Sequence, residues 1–144
     1  MKRVALRLLL FAGLLAPALA IAQQPLDPVR FKAVLAAARA YAADLSLVNY
    51  CFRVSDEQRP FLYYAVLLDL QGALGVLTAA DAKPQQKAEF VEAVLANVRF
   101  YPKDARDPAL DRRCSEEEVE KKYFQNFGVS PALKMRPPLD KLGP

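Results

Sequence analysis

Few residues in this sequence are able to carry out chemistry. Histidine is absent from all 144 residues, which excludes Ser-His-Asp and Cys-His nucleophile systems and histidine metal sites. The two cysteines, Cys51 and Cys114, lie too far apart for a zinc knuckle or a C-x-x-C redox pair. The five glycines do not form a phosphate-binding loop. An enzyme built from this chain would have to rely on carboxylates, lysine, tyrosine or arginine.

Asp69 is the strongest candidate for an unusual ionisable group. It stands between Leu68 and Leu70 in an apolar stretch, where a charged side chain is costly unless it is paired. A general acid or base with a raised pKa is one hypothesis. We favour a buried structural partner for an Arg or Tyr, or the one wet edge of a helix, because no second catalytic group lies within helical reach. We therefore expect a protein that is not an enzyme and that uses no cofactor or metal.

Residues 1–22 have the pattern of a secretory signal peptide. Basic residues precede an apolar core at 8–15, and small-x-small cleavage sites end at Ala20 and Ala22. The apolar core is shorter than the roughly 20 residues needed to span a bilayer, so we expect no stable membrane anchor after cleavage. Cleavage after Ala22 or Ala20 would release the protein into the periplasm or the medium.

Cleavage also changes the charge balance. The full chain has 20 Lys and Arg residues against 16 Asp and Glu residues. Three of the basic residues and none of the acidic ones lie in residues 1–22, so the mature chain has 17 against 16, a net charge of +1. Nucleic-acid binding loses its electrostatic support, and we expect no nucleic-acid partner.

Export gives the cysteines a structural interpretation. In an oxidising compartment, an even pair such as Cys51 and Cys114 indicates a disulfide. In the chain-entropy model, closing a loop of this length stabilises the fold by about 4 kcal/mol. Two buried free thiols are the alternative.

The mature sequence predicts an all-α fold, a small four-helix bundle over residues 23–128. The helices are expected at about 28–52, 61–77, 84–100 and 116–127. The stretch 61–77 is apolar on almost every side, so we expect it at the centre of the bundle. Gly72 and Gly75 within it would allow a neighbouring helix to approach closely, or would introduce a bend. Ser115 and Glu118 have the spacing of a capping box for the fourth helix.

The stretch 129–144 is expected to lie outside the bundle. It contains four of the eleven prolines of the chain. Proline favours extended backbone and cannot donate to a helix ladder, so we expect an extended C-terminal tail.

Arginine and aromatic residues occur together at the end of the third predicted helix and in the loop before the fourth. This mixture is typical of protein interfaces. The possible partner-binding residues are Arg99, Phe100, Tyr101, Lys103, Arg112 and Arg113. Ordinary helix capping and solvated charge are the alternative interpretation. We expect a protein partner, whose identity the residues do not give.

In outline, the chain resembles small exported helical proteins of bacteria. Among these are periplasmic immunity proteins that block toxic enzymes delivered by secretion systems. The likeness rests on size, signal peptide, helicity and the cysteine pair, and it assigns a role to no single residue. It implies an inhibitor or immunity protein. The alternatives are a periplasmic carrier of a small apolar ligand such as a lipid and, least favoured, a carboxylate-based enzyme.

Overall fold

The computed structural model describes residues 26–121 and 134–142. Over these ranges the chain is helical and contains no strand, which confirms the predicted all-α class. The helices are α1 (Pro28–Cys51), α2 (Arg59–Ala79), α3 (Pro84–Leu95), α4 (Pro108–Glu116) and α5 (Arg136–Asp140). The predicted signal peptide and its cleavage sites lie outside the described residues.

Two helices begin with the same Asp-Pro pair. Asp27 precedes α1 and Asp107 precedes α4, and each is followed by a proline in the first helical position. The Oδ1 atom of each aspartate accepts hydrogen bonds from the backbone N–H groups two and three residues further on. These N–H groups have no partner inside the helix, so the side chain satisfies them and fixes the helix start.

Among the residues that the structure describes, α1 is the most enclosed helix, whereas the prediction placed the stretch 61–77 at the centre. α1 packs against α3, α4 and α5. Its buried residues include Phe31, Val34, Ala38, Tyr41 and Leu45, spaced by three and four. α2 has the predicted apolar composition and nearly the predicted bounds, but most of its surface faces away from the other described helices.

α2 buries one stripe only. Its buried residues are Val66, Leu70, Ala73 and Leu77. Their spacing of three and four residues places them on a single side of the helix. Composition alone could not distinguish this arrangement from full enclosure, because burial depends on how many neighbours a helix has.

The last two predicted bundle helices have different bounds in the structure. α3 ends at Leu95 rather than near residue 100, and the side chain of Asn97 donates to Ala93 O at 2.9 Å beyond its end. α4 covers Pro108–Glu116, before the predicted fourth helix at 116–127, and after a turn at 117–118 the chain is helical again at 119–121, inside the predicted range. Ser115 and Glu118 form no capping box, and Glu118 instead has a left-handed φ of 46°. The Asp-Pro start was the stronger signal.

The predicted extended tail is wrong over residues 134–142. This segment contains α5, and Met135 and Leu139 are buried in the main core, with Leu142 packed against it. Pro137 and Pro138 lie in the first turn of α5, where a helix needs no N–H donor, so they are compatible with it.

The predicted disulfide is confirmed. Cys51, the last residue of α1, is bonded to Cys114 near the C-terminal end of α4, and their Cα atoms are 5.6 Å apart. Around the bond lies a second, smaller core that contains Leu47, Tyr50 and Val119. The bond therefore ties α4 to the end of α1 rather than to the main core.

Candidate protein-binding site

Buried polar side chains lie in the last two turns of α1, beneath the connector between α3 and α4 (residues 96–107, the α3–α4 connector). Ser46 is 8% exposed, and Asn49 and Tyr50 are each 1% exposed. A polar side chain at such depth is costly unless it is hydrogen-bonded. Each of the three accepts a hydrogen bond from a backbone N–H group of the connector.

These three bonds fix a segment that has no helix of its own. They are Arg99 N to Ser46 Oγ at 2.9 Å, Tyr101 N to Asn49 Oδ1 at 2.7 Å, and Asp107 N to Tyr50 Oη at 2.7 Å. Buried backbone N–H groups are almost always paired, and in this connector the side chains of α1 replace the missing helix ladder. The connector is therefore attached to α1 at its start and at its end.

Tyr50 joins the connector to α4 as well. Its hydroxyl donates to Asp111 Oδ1 at 2.8 Å, and the same carboxylate atom lies 2.6 Å from the Arg53 guanidinium. Arg53 also lies 4.3 Å from the centre of the Tyr50 ring and donates to Ala105 O. These contacts hold Arg53 at a left-handed φ of 51°, a conformation that costs a non-glycine residue about 1–2 kcal/mol.

Two successive aromatic residues clamp the start of the connector between α1 and α2. The Tyr101 ring packs edge-on against Tyr50, with centroids 5.2 Å apart. The Phe100 ring packs against Tyr63 of α2 at 4.2 Å. Aromatic pairs at these distances add about 0.5–1.5 kcal/mol beyond their burial. Both residues therefore have a structural role as well as a place in the predicted partner surface.

The predicted partner-binding residues divide into two groups. Arg99, Lys103 and Arg112 are exposed and form no ion pair with any residue of 26–121 or 134–142. Arg113 is also exposed, but its Nε lies 2.8 Å from Glu117 Oε1. The basic side chains thus lie on the connector and on α4, and Tyr50 contacts both segments. Phe100 and Tyr101 pack against other aromatic rings instead.

Asp69 lies apart from this surface. It is partly buried and accepts a hydrogen bond of 2.9 Å from the hydroxyl of Tyr41, which is 1% exposed. Burial raises the pKa of Asp69 above its usual value, and the hydrogen bond from Tyr41 offsets part of that rise. Burial and the nearby carboxylate also raise the pKa of Tyr41. Tyr41 is thus the hydrogen-bond partner of this carboxylate. No metal-ligating cluster occurs in the described parts of the chain.

Sequence reasoning missed Ser46, Asn49, Tyr50 and Arg53. Ser46, Asn49 and Tyr50 lie three and four residues apart on one side of α1 near its C-terminal end, and Arg53 follows just after that end. These polar residues among apolar neighbours were the available signal, because buried polar side chains need hydrogen-bond partners. It could not show that the partners are backbone groups fifty residues away.

Comparison with known protein families, with curated proteins and with solved structures finds no match to this chain. Function must therefore be inferred from the chain's own residues. The bond between Cys51 and Cys114 indicates an oxidising compartment, since such bonds are rare in reducing ones.

Proposed function

We propose that this is an exported, non-enzymatic binding protein that inhibits or neutralises a periplasmic protein partner. Residues 1–22 would direct export, and the disulfide is consistent with an oxidising compartment outside the cytoplasm. The observation that carries the proposal is the α3–α4 connector, whose backbone is hydrogen-bonded to three buried side chains of α1.

A fixed connector suits recognition because binding then orders little further backbone. Ordering loops and side chains on association costs free energy, and a loop already held in one conformation avoids much of that cost. Inhibitors that bind tightly usually change their interface backbone little on binding. The disulfide adds to this rigidity, since it holds α4 next to the connector.

The chemistry of the partner follows from the exposed cations. Arg99 and Lys103 lie on the connector and Arg112 lies on α4, all of them exposed. An acidic protein surface would complement them, and complementary charge raises the association rate and specificity more than the affinity. Toxic enzymes that carry exposed carboxylates around their active site are one class of such partners.

The test is capture from a periplasmic extract of the protein's own host, read by quantitative mass spectrometry. The bait is the mature chain, compared with Arg99→Glu/Arg112→Glu. We expect a specific protein that binds the wild type and is reduced at least about tenfold on the variant, with binding that weakens at high salt.

The matched control is Lys32→Glu/Lys83→Glu, which makes the same change in net charge on exposed residues beside the start of α1. Lys32 lies 14 positions before Ser46, the first residue of α1 that binds the connector, which is about 20 Å by helical rise, and Lys83 lines the same cleft as Lys32. Equal loss of capture with both double variants would show a net-charge effect and would contradict the proposed surface.

A cleft between α2 and α3 supports the lipid carrier as the second candidate. It has a volume of about 750 Å³ and is lined by Leu74, Val91 and Leu95, with Lys87 among them. Lys87 and Glu92 are the charged residues of that lining, and an apolar chain would suit its aliphatic part. Native mass spectrometry of protein purified from its host would detect such a ligand, and its absence would remove this candidate.

A further inference from the structure

The outer side of α2 is an apolar surface without cover from the described residues. The exposed fractions are 76% for Phe61, 63% for Tyr64, 59% for Leu67 and 48% for Leu68. By length and composition α2 could cross a membrane, yet only 22% of its apolar window is buried in the structure. Isolated exposed apolar residues are ordinary, but a contiguous group on one helix marks an interaction surface.

Two glycines lie on the same side of the helix. Phe61, Leu68, Gly72 and Gly75 follow the helical repeat, opposite the buried stripe through Leu70. A Cβ atom added at either glycine would meet nothing within 4 Å, so nothing in the described structure requires a glycine there. Each glycine costs the helix about 1 kcal/mol relative to alanine. Close packing of another helix against the bare backbone would offset that cost.

We propose that α2 is a homodimer interface, in which a second copy of the chain packs antiparallel along this face. A two-fold axis at the level of Leu70 would place Leu68 opposite the partner's Gly72. The same axis would place Phe61 opposite the partner's Ala79. Large residues in the first half of the helix would thus meet small ones in the second half, which gives the self-complementary surface that a two-fold contact requires.

Charge on α2 also favours a second copy. From Pro60 to Ala79 the only charged residue is Asp69, whose carboxylate is hydrogen-bonded to Tyr41. Self-pairing therefore opposes no like charges, and antiparallel helix dipoles attract each other. Helices that lie on membrane surfaces usually have Lys and Arg on their polar face, and α2 has none after Arg59.

The exposed large side chains supply more than half of the area that such a contact needs. The four of them expose about 450 Å² together, if each has a full area of about 150–250 Å². A stable protein interface buries about 800 Å² per partner. The exposed small residues of the same face, such as Gly72, Gly75 and Ala79, add to that area.

The test is the mass of the mature, disulfide-bonded chain in solution, measured by sedimentation velocity from about 1 to about 100 µM. We expect a concentration-dependent change from the monomer mass to twice that mass. Gly75→Leu should weaken dimerisation at least about tenfold, because its side chain would enter the contact. The monomer should still fold, since the site is open and leucine favours a helix more than glycine.

The control is Ala36→Leu at an exposed position of α1, which should dimerise as the wild type does. A wild type that stays monomeric throughout this range overturns the proposal, as does a Gly75→Leu variant that dimerises normally. A monomer that floats with lipid vesicles would show that a membrane occupies the face instead. A monomer with the outer α2 face protected from labelling would show that another part of the chain covers it. This test is independent of the Arg99 and Arg112 surface, so either proposal can fail alone.

Discussion

Removal of the Tyr50 hydroxyl should release the α3–α4 connector while leaving the hydrophobic packing intact. In the Tyr50→Phe variant the ring still packs against Tyr101, and the neighbouring disulfide is unchanged. The variant loses the bond from Asp107 N at 2.7 Å and the bond to Asp111 at 2.8 Å. It creates no large cavity, so the effect measures the polar contacts.

The expected loss follows from these two bonds. A neutral hydrogen bond contributes about 1 kcal/mol and a bond to a charged group about 1.5–3 kcal/mol. Asp111 is partly exposed and keeps its contact with Arg53, so the lower end applies to the second bond. We expect a loss of about 2–3 kcal/mol in the free energy of unfolding. For a domain of this size that lowers Tm by about 10 °C.

Thermal unfolding and amide hydrogen exchange together test this reasoning. The matched control is Tyr41→Phe, which removes one hydroxyl bond from an equally buried tyrosine that is bonded to Asp69 of α2 and not to the connector. Only Tyr50→Phe should speed exchange at the amide groups of Tyr101 and Asp107. An unchanged Tm, or connector amides that exchange as slowly as in the wild type, would refute the view that these bonds hold the connector.

The remaining predictions concern other parts of the fold. Asp69→Asn should stabilise the protein at neutral pH, because the raised pKa means that the charged form is disfavoured in the folded state. The protonated carboxyl stabilises the folded wild type below the unfolded pKa near 3.8, and this stabilisation is lost as pH rises through the higher folded pKa. The difference in free energy of unfolding between the Asn variant and the wild type should therefore shrink as the pH is lowered. Loss of an enzymatic activity in a folded Asp69→Asn protein would instead favour the carboxylate-based enzyme. Replacement of both Cys51 and Cys114 by serine should cost about 4 kcal/mol in urea unfolding, and a loss below about 1 kcal/mol would contradict the loop-closure estimate. Leu139→Ala should cost about 2–4 kcal/mol, whereas a freely extended tail predicts no change.

The features predicted correctly were those with a strong local signal. The Asp27-Pro28 start of α1 needs only a capping oxygen and a proline in the first position, and both can be seen in the sequence. The disulfide followed from an even cysteine count and a signal-like N-terminus. The same Asp-Pro rule predicts a helix start at Asp107-Pro108, and α4 begins there.

The features missed depend on which faces of a helix acquire neighbours. The apolar composition of α2 was correctly recognised, but nothing in it shows that Phe61 and Leu68 face outward while Leu70 faces inward. The tail was misjudged because four prolines were given more weight than the spacing of Met135, Leu139 and Leu142, which is helical. The partners of Ser46 and Asn49 are backbone groups of a distant segment, and side-chain patterns do not reveal such pairs.

The position of α5 has a consequence for the order in which the molecule can be assembled. Met135 and Leu139 occupy the main core beside residues of α1 that are made about a hundred positions earlier. A polypeptide that leaves the ribosome N-terminus first cannot complete this core until Met135 and Leu139 have also emerged. Until then its early helices keep apolar surface exposed, as incompletely folded chains do.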